Sequence, residues 1–264
     1  MTLVVKIGGE AVESRRVRRN VAKQIVRLSR SGNKVVVVHG GGKMLTRVLA
    51  DMGISTQFRD GLRVTGAPTR DVALMVLAGM VNKQWVAEIE TQGERAIGLC
   101  GGDGGLMEAR KLMMRAGRRV KDLGFVGKPG KVNPAILEMA FEHGMIPVVA
   151  SMAPGPRGEY FNINADDFAA ALANALHADR LIYLTESGGV WDVQRKRLPE
   201  VRVGEIEDLI EKGVVRDGMI PKLRSCAQVI EGGVREIDII SSSASAGLLQ
   251  VLEGRGRAGT RIVR

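Results

Sequence analysis

The sequence has few cysteines and few aromatic residues. Its only cysteines, Cys100 and Cys226, stand at no metal-ligand spacing from each other or from a histidine. Structural zinc and a stabilising disulfide are therefore not expected, and no metal-binding residues are predicted. Phe, Trp and Tyr make up 3% of the chain, which is too little for base-stacking platforms, and no nucleic-acid-binding motif is present. We therefore expect no nucleic-acid partner.

Long hydrophobic runs are also missing. No stretch approaches the roughly 18 consecutive apolar residues of a membrane span, so no membrane association is expected. Strand-like residues begin at position 3, which leaves no room for a signal or transit peptide in front of them. Together these absences predict a cytoplasmic protein. With 45% apolar residues in 264, the chain can bury a substantial core.

Glycine and positive charge are abundant. The chain has 34 glycines and a net charge of +10, and such a balance suits anionic ligands or an acidic partner. The densest basic run falls in a predicted helix over residues 14–31. There Val17, Val21, Ile25 and Leu28 keep helical spacing, so the arginines are expected on the outer face.

The dominant pattern is a short apolar strand, a Gly-rich turn and an amphipathic helix. It predicts strands at residues 2–7, 35–38, 96–99, 146–150, 180–185, 236–240 and 261–263. Helices are predicted at 14–31, 43–52, 68–90, 134–143, after 166, and near 205–212 and 221–232; a hairpin is predicted at 56–64 and irregular chain at 106–131. Such alternation is typical of α/β proteins, here a three-layer αβα sandwich with an open, mainly parallel central sheet.

Three Gly-rich turns follow predicted strands, at residues 8–9, 40–42 and 187–189. Ligands of open parallel sheets bind beyond the carboxyl ends of strands, and glycine lets backbone N–H groups approach an anion there. The sequence has no P-loop, no dinucleotide fingerprint and no recognisable Ser/His/Asp context. A phosphate-handling enzyme of another kind remains.

Five ordered segments are more specific than these turns. They are VKIGG at 5–9, HGGG at 39–42, DGLRVT at 60–65, NINAD at 162–166 and GMIPK at 218–222. In this order they closely resemble the N-acetylglutamate kinases of the amino acid kinase family, over essentially the whole chain. The resemblance implies the amino acid kinase fold, with an N-terminal lobe (1–165) for substrate binding and dimerisation and a C-terminal lobe (166–264) for ATP.

The resemblance also implies an activity. This is ATP-dependent phosphorylation of the γ-carboxylate of N-acetyl-L-glutamate to N-acetyl-L-glutamyl 5-phosphate, a step of arginine biosynthesis, with Mg²⁺ carried by the nucleotide. A γ-carboxylate with a pKa of about 4.3 is ionised at neutral pH, so no general base is required. The difficulty is the approach of two anions, and positively charged groups and backbone N–H groups address it by positioning and charge stabilisation.

Roles carry over residue by residue under this resemblance. Catalysis would depend on Lys6 and Lys222, flanking the phosphoryl group from the two lobes, and on Asp166 holding them. The substrate-binding residues would be Gly41, Gly42, Arg63 and Asn162. The nucleotide-binding residues would be Gly8, Gly9, Thr185, Ser187, Gly189 and Met219. Arg63 suits an α-carboxylate because a guanidinium donates two parallel hydrogen bonds.

Several positions depart from the family pattern and leave alternatives open. Lys43 after Gly42 and Lys128 after Gly127 add positive charge on the substrate side. Together with the basic runs at 15–19 and 115–119 they suit a glutamate or aminoadipate linked to an acidic amino-group carrier protein. The DGLRVT segment favours free N-acetylglutamate, with N-succinylglutamate as a variant. A non-catalytic module of the same fold is disfavoured because Lys6, Lys222 and Asp166 are all present.

The resemblance implies a homodimer joined through the N-terminal lobe. Met75, Met80 and Trp85 on the predicted long helix are its expected contacts. Relatives that arginine inhibits carry an extra N-terminal helix, whereas here the first strand begins at position 3. We therefore expect no inhibition by arginine.

Overall fold

The structure is a computed structural model that describes residues 1–116, 119–215, 219–244, 247–253 and 259–264. Gly218 of the GMIPK segment and Arg118 of the basic run lie outside the described residues. The secondary structure alternates between strands and helices, as predicted for an α/β protein.

The strands follow the predicted positions closely, and several further strands are present. In chain order they are β1 (Thr2–Ile7), β2 (Lys34–His39), β3 (Phe58–Arg59), β4 (Leu62–Arg63), β5 (Arg95–Cys100), β6 (Met107–Ala116), β7 (Arg119–Val132), β8 (Met145–Ala150), β9 (Met152–Pro154), β10 (Tyr160–Ile163), β11 (Arg180–Thr185), β12 (Val190–Trp191), β13 (Arg197–Leu198), β14 (Glu200–Arg202), β15 (Glu236–Ser241) and β16 (Gly259–Val263).

The helices match most of the predicted ones, and α1 and α10 are additional. They are α1 (Glu10–Glu13), α2 (Arg15–Arg30), α3 (Gly42–Asp51), α4 (Ala67–Ala73), α5 (Asn82–Glu90), α6 (Ala135–Glu142), α7 (Ala165–Ala175), α8 (Ile206–Glu211), α9 (Met219–Glu231) and α10 (Gly247–Glu253). A π-helical segment, Leu74–Val81, connects α4 to α5, and short 3₁₀ turns occupy Asp103–Gly105 and Val203–Glu205.

Contacts within the chain divide it into two units. Unit 1 comprises Met1–Val37 and Ala169–Arg264, and unit 2 comprises Val38–Phe168. In unit 1 the strands are ordered β14-β16-β15-β11-β1-β2, and β11 is parallel to both β1 and β15. In this sheet β14 runs parallel to β16, and β16 runs antiparallel to β15. The predicted α/β class with a large, mostly parallel sheet is confirmed. The functional division at residue 165 stays a prediction.

Unit 2 contains a parallel β5–β8 pair and a sheet ordered β6-β7-β10-β9. Residues 106–131 were expected to be irregular, and this was wrong because β6 and β7 form a long antiparallel hairpin there. The basic residues conceal a period of two, in which Met107 and Ala109 are buried while Glu108 and Arg110 face outward. The glycines also fit a sheet, since a Cβ on Gly127 would lie 2.7 Å from Phe161.

Helix α2 has the predicted amphipathic pattern. Val17, Val21, Ile25 and Leu28 are buried, whereas its arginines lie at half-buried or exposed positions. The hydroxyl of Ser14 accepts a hydrogen bond from the Val17 N–H at 3.4 Å and so caps the helix. The predicted basic outer face of this helix is confirmed.

Residues 68–90 were predicted as one helix, and in the structure this stretch comprises α4, the π-helical segment and α5. Val72, Val76 and Val81 are buried, whereas Met75 is 58% exposed and Met80 45% exposed. Because a π-helix bonds i to i+5, the segment Leu74–Val81 shifts residues away from α-helical periodicity. The same stretch buries Trp85 completely, which corrects its expected role as a dimer contact.

The stretch Ala67–Glu90 is also the one helix among the described residues with the length and composition of a membrane span. Half of its most apolar 18-residue window is buried inside the protein. Core helices of globular proteins have the same character, so length and composition here are weak grounds for a membrane role.

Candidate active site

In unit 1, Lys6 lies near the end of β1, and Gly8 follows it in the adjoining turn. A Cβ on Gly8 would lie 2.8 Å from Lys6 Nζ. Glycine therefore leaves the space that the ammonium group occupies over the turn. Gly9 has a φ of +58°, and a Cβ there would lie 2.7 Å from the Glu186 carboxylate. Gly9 is thus required by its backbone conformation, whereas a side chain at Gly8 would displace the Lys6 ammonium group.

The second lysine of unit 1 is connected to the first through Tyr183. Lys222 lies in the first turn of α9, and its Nζ is 4.7 Å from the centre of the Tyr183 ring, a cation–π contact. Tyr183 is also the register partner of Lys6 in the parallel β1–β11 pair. Paired residues point to the same side of a sheet, so a single buried tyrosine adjoins both predicted catalytic lysines.

A tight turn follows β11. Thr185 Oγ1 accepts a hydrogen bond from the Gly188 N–H at 3.0 Å and lies 3.2 Å from Ser187 Oγ. Gly189 has a φ of +152°, and a Cβ there would lie 2.9 Å from the Thr260 hydroxyl. These contacts place Thr185 and Ser187 side by side and Gly189 against Thr260, in a turn at the carboxyl end of a parallel strand. Their predicted role in nucleotide binding stays a prediction.

A cavity of about 480 Å³ lies beside this turn in unit 1. Its lining includes Trp191, Val193, Val215 and Met219. The indole N–H of Trp191 donates to the Ser187 carbonyl at 2.9 Å, which connects the cavity wall to the turn. An apolar wall with an aromatic ring next to a Gly-rich turn can accommodate a flat heterocycle joined to phosphates.

In unit 2, the glycine turn follows β2 and opens α3 at Gly42. Gly41 has a φ of +154°, and a Cβ there would lie 2.8 Å from Leu77 Cδ2 and 3.3 Å from Val81 Cγ2. A Cβ on Gly42 would meet open space. No side chain caps this helix start among the described residues. Its first backbone N–H groups therefore form a site suited to an anion.

Arg63 lies next to this helix start and is only 7% exposed. Its Nη2 donates to the Gly42 carbonyl at 3.0 Å and to Thr46 Oγ1 at 2.8 Å, and its guanidinium lies 4.5 Å from the centre of the Phe58 ring. Burial lowers the pKa of Arg63 from its usual value. Its Nη1 is buried without a hydrogen-bond partner in the described part of the chain. A buried cationic donor without a partner indicates a binding site for an anion.

Asn162 and Asp166 flank the start of α7 in unit 2. Asn162 is half-buried on β10 and pairs with Val126 of β7 and Met152 of β9. The Asp166 N–H donates to Asn164 Oδ1 at 2.8 Å, so Asn164 supplies the local side-chain hydrogen bond at this helix start. Burial, and secondarily the charge of Asp166, raise the pKa of Asp167. The predicted contact of Asp166 with the lysines stays a prediction.

No metal site of protein ligands was predicted, and the described residues contain no group of three or more His, Cys, Asp or Glu side chains able to hold a metal ion. Cys100 and Cys226 are both buried. A magnesium ion fits this arrangement only when nucleotide oxygens and water supply its ligands.

The sequence analysis did not identify the residues that contact and orient the predicted site residues. Phe58 is the hairpin partner of Arg63, and Thr46 lies one helical turn beyond Gly42. Hairpin pairing and helical spacing could have indicated both. Tyr183 is one of only two tyrosines and stands between apolar residues, Leu181, Ile182 and Leu184, which was an available signal for a functional position.

The chain is similar to known proteins over most of its length. The profile of the amino acid kinase family matches residues 1–241. A curated relative named acetylglutamate kinase, from Koribacter versatilis (strain Ellin345), is 43% identical over 100% of this chain and 99% of its own length. Another of that name, from Mesorhizobium japonicum (strain LMG 29417 / CECT 9101 / MAFF 303099), is 44% identical over 99% of this chain and 90% of its own length.

A solved structure shows the same fold. N-acetylglutamate synthase from Neisseria gonorrhoeae, complexed with coenzyme A and N-acetyl-glutamate, superposes with a TM-score of 0.87 at 27% identity. The match covers 100% of this chain, which spans 59% of the synthase chain. The profile match, the full-length relatives and the superposition all lead to one conclusion. The chain belongs to the amino acid kinase family.

Proposed function

We propose that the chain catalyses ATP-dependent phosphorylation of the γ-carboxylate of N-acetyl-L-glutamate, giving N-acetyl-L-glutamyl 5-phosphate and ADP as a step of arginine biosynthesis. The observation that carries this proposal is the buried Nη1 of Arg63 beside the start of α3, which has no hydrogen-bond partner among the residues that the structure describes. The full-length relatives named acetylglutamate kinase support the same reaction.

Arg63 binds the α-carboxylate of the substrate in this proposal. Its Nη2 is held by the Gly42 carbonyl and Thr46, and the Phe58 ring lies against its plane. Nη1 is left to donate to a ligand, and a carboxylate is the anion that a guanidinium binds most directionally. Asn162 provides a second polar contact from β10.

The glycine turn and the lysines act on the phosphoryl group. Gly41 and Gly42 present backbone N–H groups at the start of α3, where the helix dipole also favours negative charge. Lys6 and Lys222 supply positive charge, and Tyr183 orients Lys222. Since the γ-carboxylate is already ionised at neutral pH, these groups need only position the reactants and stabilise charge.

The nucleotide occupies the turn after β11 and the neighbouring cavity. Gly8, Gly9, Thr185, Ser187 and Gly189 surround the phosphates, and the adenine enters the cavity beside Met219 and Trp191. When bound, Mg²⁺ neutralises phosphate charge and arrives with the nucleotide. An apolar pocket wall beside Gly-rich turns supports this placement.

The assembly we propose is a homodimer of cytoplasmic chains. Met75 and Met80 are large apolar side chains exposed on the stretch Ala67–Glu90 of unit 2, and exposed apolar residues of this kind often mark interfaces. A carrier-linked substrate is not favoured, because relatives that match the chain end to end carry the name acetylglutamate kinase.

A coupled ADP-release assay with Mg-ATP tests the reaction, comparing N-acetylglutamate, N-succinylglutamate and glutamate as acceptors. We expect turnover on N-acetylglutamate. Arg63→Ala should raise KM for it about 10- to 100-fold, since a hydrogen bond to a charged group contributes about 1.5–3 kcal/mol. KM for ATP should be unchanged.

Arg47→Ala is the matched control, because Arg47 is an exposed arginine on α3, the helix whose first turn Arg63 contacts, and we expect it to retain wild-type constants. An unchanged KM for N-acetylglutamate in Arg63→Ala would contradict the substrate site. A folded, ATP-binding wild type without turnover on any free acceptor would contradict the reaction itself.

A further inference from the structure

A buried polar pair lies behind the glycine turn of unit 2. His39 is the last residue of β2, Asn82 is the first residue of α5, and neither side chain is accessible to solvent. His39 Nδ1 lies 2.9 Å from the Gly40 carbonyl oxygen, and His39 Nε2 lies 3.1 Å from Asn82 Nδ2. We refer to these residues as the His39–Asn82 pair.

The partners fix the protonation of the imidazole. A carbonyl oxygen can only accept, so Nδ1 carries the hydrogen and Nε2 accepts from the Asn82 amide. Burial lowers the pKa of His39 to about 4. The ring is therefore neutral at physiological pH and keeps Nε2 available as an acceptor.

Asn82 is itself held in place by two strands. Its Nδ2 contacts the Val148 carbonyl of β8 at 2.8 Å and the Leu99 carbonyl of β5 at 3.3 Å. Its Oδ1 accepts from Lys83 Nζ at 3.2 Å. A buried amide with partners for both its nitrogen and its oxygen gives one well-defined orientation.

The His39 contact controls the direction of one backbone group in the glycine turn. In a planar trans peptide the C=O and the following N–H point in opposite directions. Since the Gly40 carbonyl is turned toward the His39 ring, the Gly41 N–H points away from it. On its other side, Gly41 approaches Leu77 and Val81, and Val81 directly precedes Asn82. The turn is thus held from the strand and from the π-helical segment.

We propose that His39 and Asn82 are positioning residues that aim the Gly41 N–H at the transferring phosphoryl group. The inference rests on the proposed function. A buried polar pair that served stability alone could be replaced by apolar side chains of similar shape at small cost. Misdirection of an N–H that stabilises developing charge lowers kcat and leaves ground-state binding nearly unchanged.

Three substitutions at His39 separate its two contacts. His39→Asn keeps an amide N–H at the position of Nδ1 and can still donate to the Gly40 carbonyl. His39→Gln keeps an oxygen near the position of Nε2 and can still accept from Asn82. His39→Leu removes both hydrogen bonds. We expect kcat to fall about 100-fold or more in His39→Leu, as when an oxyanion-binding donor is lost, and to recover most in His39→Asn, with KM for both substrates little changed.

Ile89→Ala is the control for stability, because Ile89 is a fully buried apolar side chain on the same helix as Asn82. It should lower the melting temperature while leaving kcat at the wild-type value. A wild-type kcat in His39→Leu would overturn the proposal. So would an equal loss of kcat in Ile89→Ala and His39→Leu at matched melting temperature.

NMR on ¹⁵N-labelled protein separates this inference from the proposed reaction. We expect the His39 ring to be a neutral Nδ1–H tautomer from pH 5 to 9 and the Gly41 amide signal to move in His39→Gln. If the wild type has no turnover, the proposed reaction fails, and these signals still test the placement. An Nε2–H tautomer, or an unmoved Gly41 amide, would overturn the positioning role even in an active enzyme.

Discussion

Arg63 and Lys222 are both long cationic side chains held by an aromatic ring. Arg63 lies against Phe58 at 4.5 Å from the ring centre, and Lys222 Nζ lies over Tyr183 at 4.7 Å. Flexible cations lose conformational entropy when they are ordered for catalysis. A ring that holds the cation before the ligand arrives reduces that loss at the moment of binding, because cation–π contacts need no anionic partner.

Replacement of Tyr183 tests whether the aromatic ring positions Lys222 for catalysis. Tyr183→Leu should lower kcat/KM about 2- to 30-fold, because a cation–π contact contributes about 0.5–2 kcal/mol. Tyr183→Phe keeps the ring and should retain most activity. Steady-state ADP release measures both.

Ile182→Val serves as the control for this pair of variants, because Ile182 is buried on the same strand and its side chain points to the opposite face of the sheet. It should leave kcat/KM unchanged. Equal activities of Tyr183→Leu and Tyr183→Phe would show that the ring does not position Lys222.

At the scale of elements, two glycines in the turn between β2 and α3 are needed for different reasons. Gly41 adopts a positive φ and lies against Leu77 and Val81, so it is required for the fold of the turn. A Cβ at Gly42 would lie in open space, so glycine is required at this position only if a ligand approaches there.

Alanine at each position should therefore give different phenotypes. Gly41→Ala should lower the free energy of unfolding by about 1–3 kcal/mol, the usual cost of an overpacked contact, and should also reduce activity. Gly42→Ala should keep the melting temperature close to wild type and lower activity, because its methyl group lies where the anion binds. Differential scanning calorimetry and the ADP-release assay distinguish the two, and full activity in Gly42→Ala would contradict an anion site at this helix start.

At the scale of the whole molecule, the chain carries a net charge of +10 and exposes large apolar side chains at a few positions. The reaction brings together two anionic reactants, and a positive molecule attracts both. Met75 and Met80 are two of these exposed apolar side chains. They lie close together in sequence, on the π-helical segment Leu74–Val81.

Glutamate at Met75 and Met80 tests the proposed dimer. The double variant should be monomeric at concentrations at which the wild type is dimeric, because burying two unpaired carboxylates in an interface is strongly unfavourable. Light scattering coupled to size-exclusion chromatography gives the molecular mass. Met139→Glu is the matched control, since Met139 lies on α6 of the same unit and is 45% exposed, as Met80 is. A dimeric double variant would exclude this surface.

Much of the architecture was predictable because its signals are local. Apolar runs such as residues 35–38 and the helical spacing of Val17, Val21, Ile25 and Leu28 give the same elements in the structure. The hairpin of β6 and β7 was missed because basic residues and glycines conceal its period of two. The π-helical segment Leu74–Val81 was missed because its hydrogen bonds depart from the periodicity on which helical patterns depend.

The sequence by itself determined the family, through five ordered segments, and with it the candidates Lys6, Gly41, Arg63 and Lys222. The sequence can identify the family because turn glycines and functional side chains stand next to one another in these segments. Only the tertiary structure decided how these groups are oriented. Phe58, Thr46, Tyr183 and the His39–Asn82 pair act through contacts between separate elements. Such contacts depend on packing, burial and strand register, which no local pattern of residues specifies.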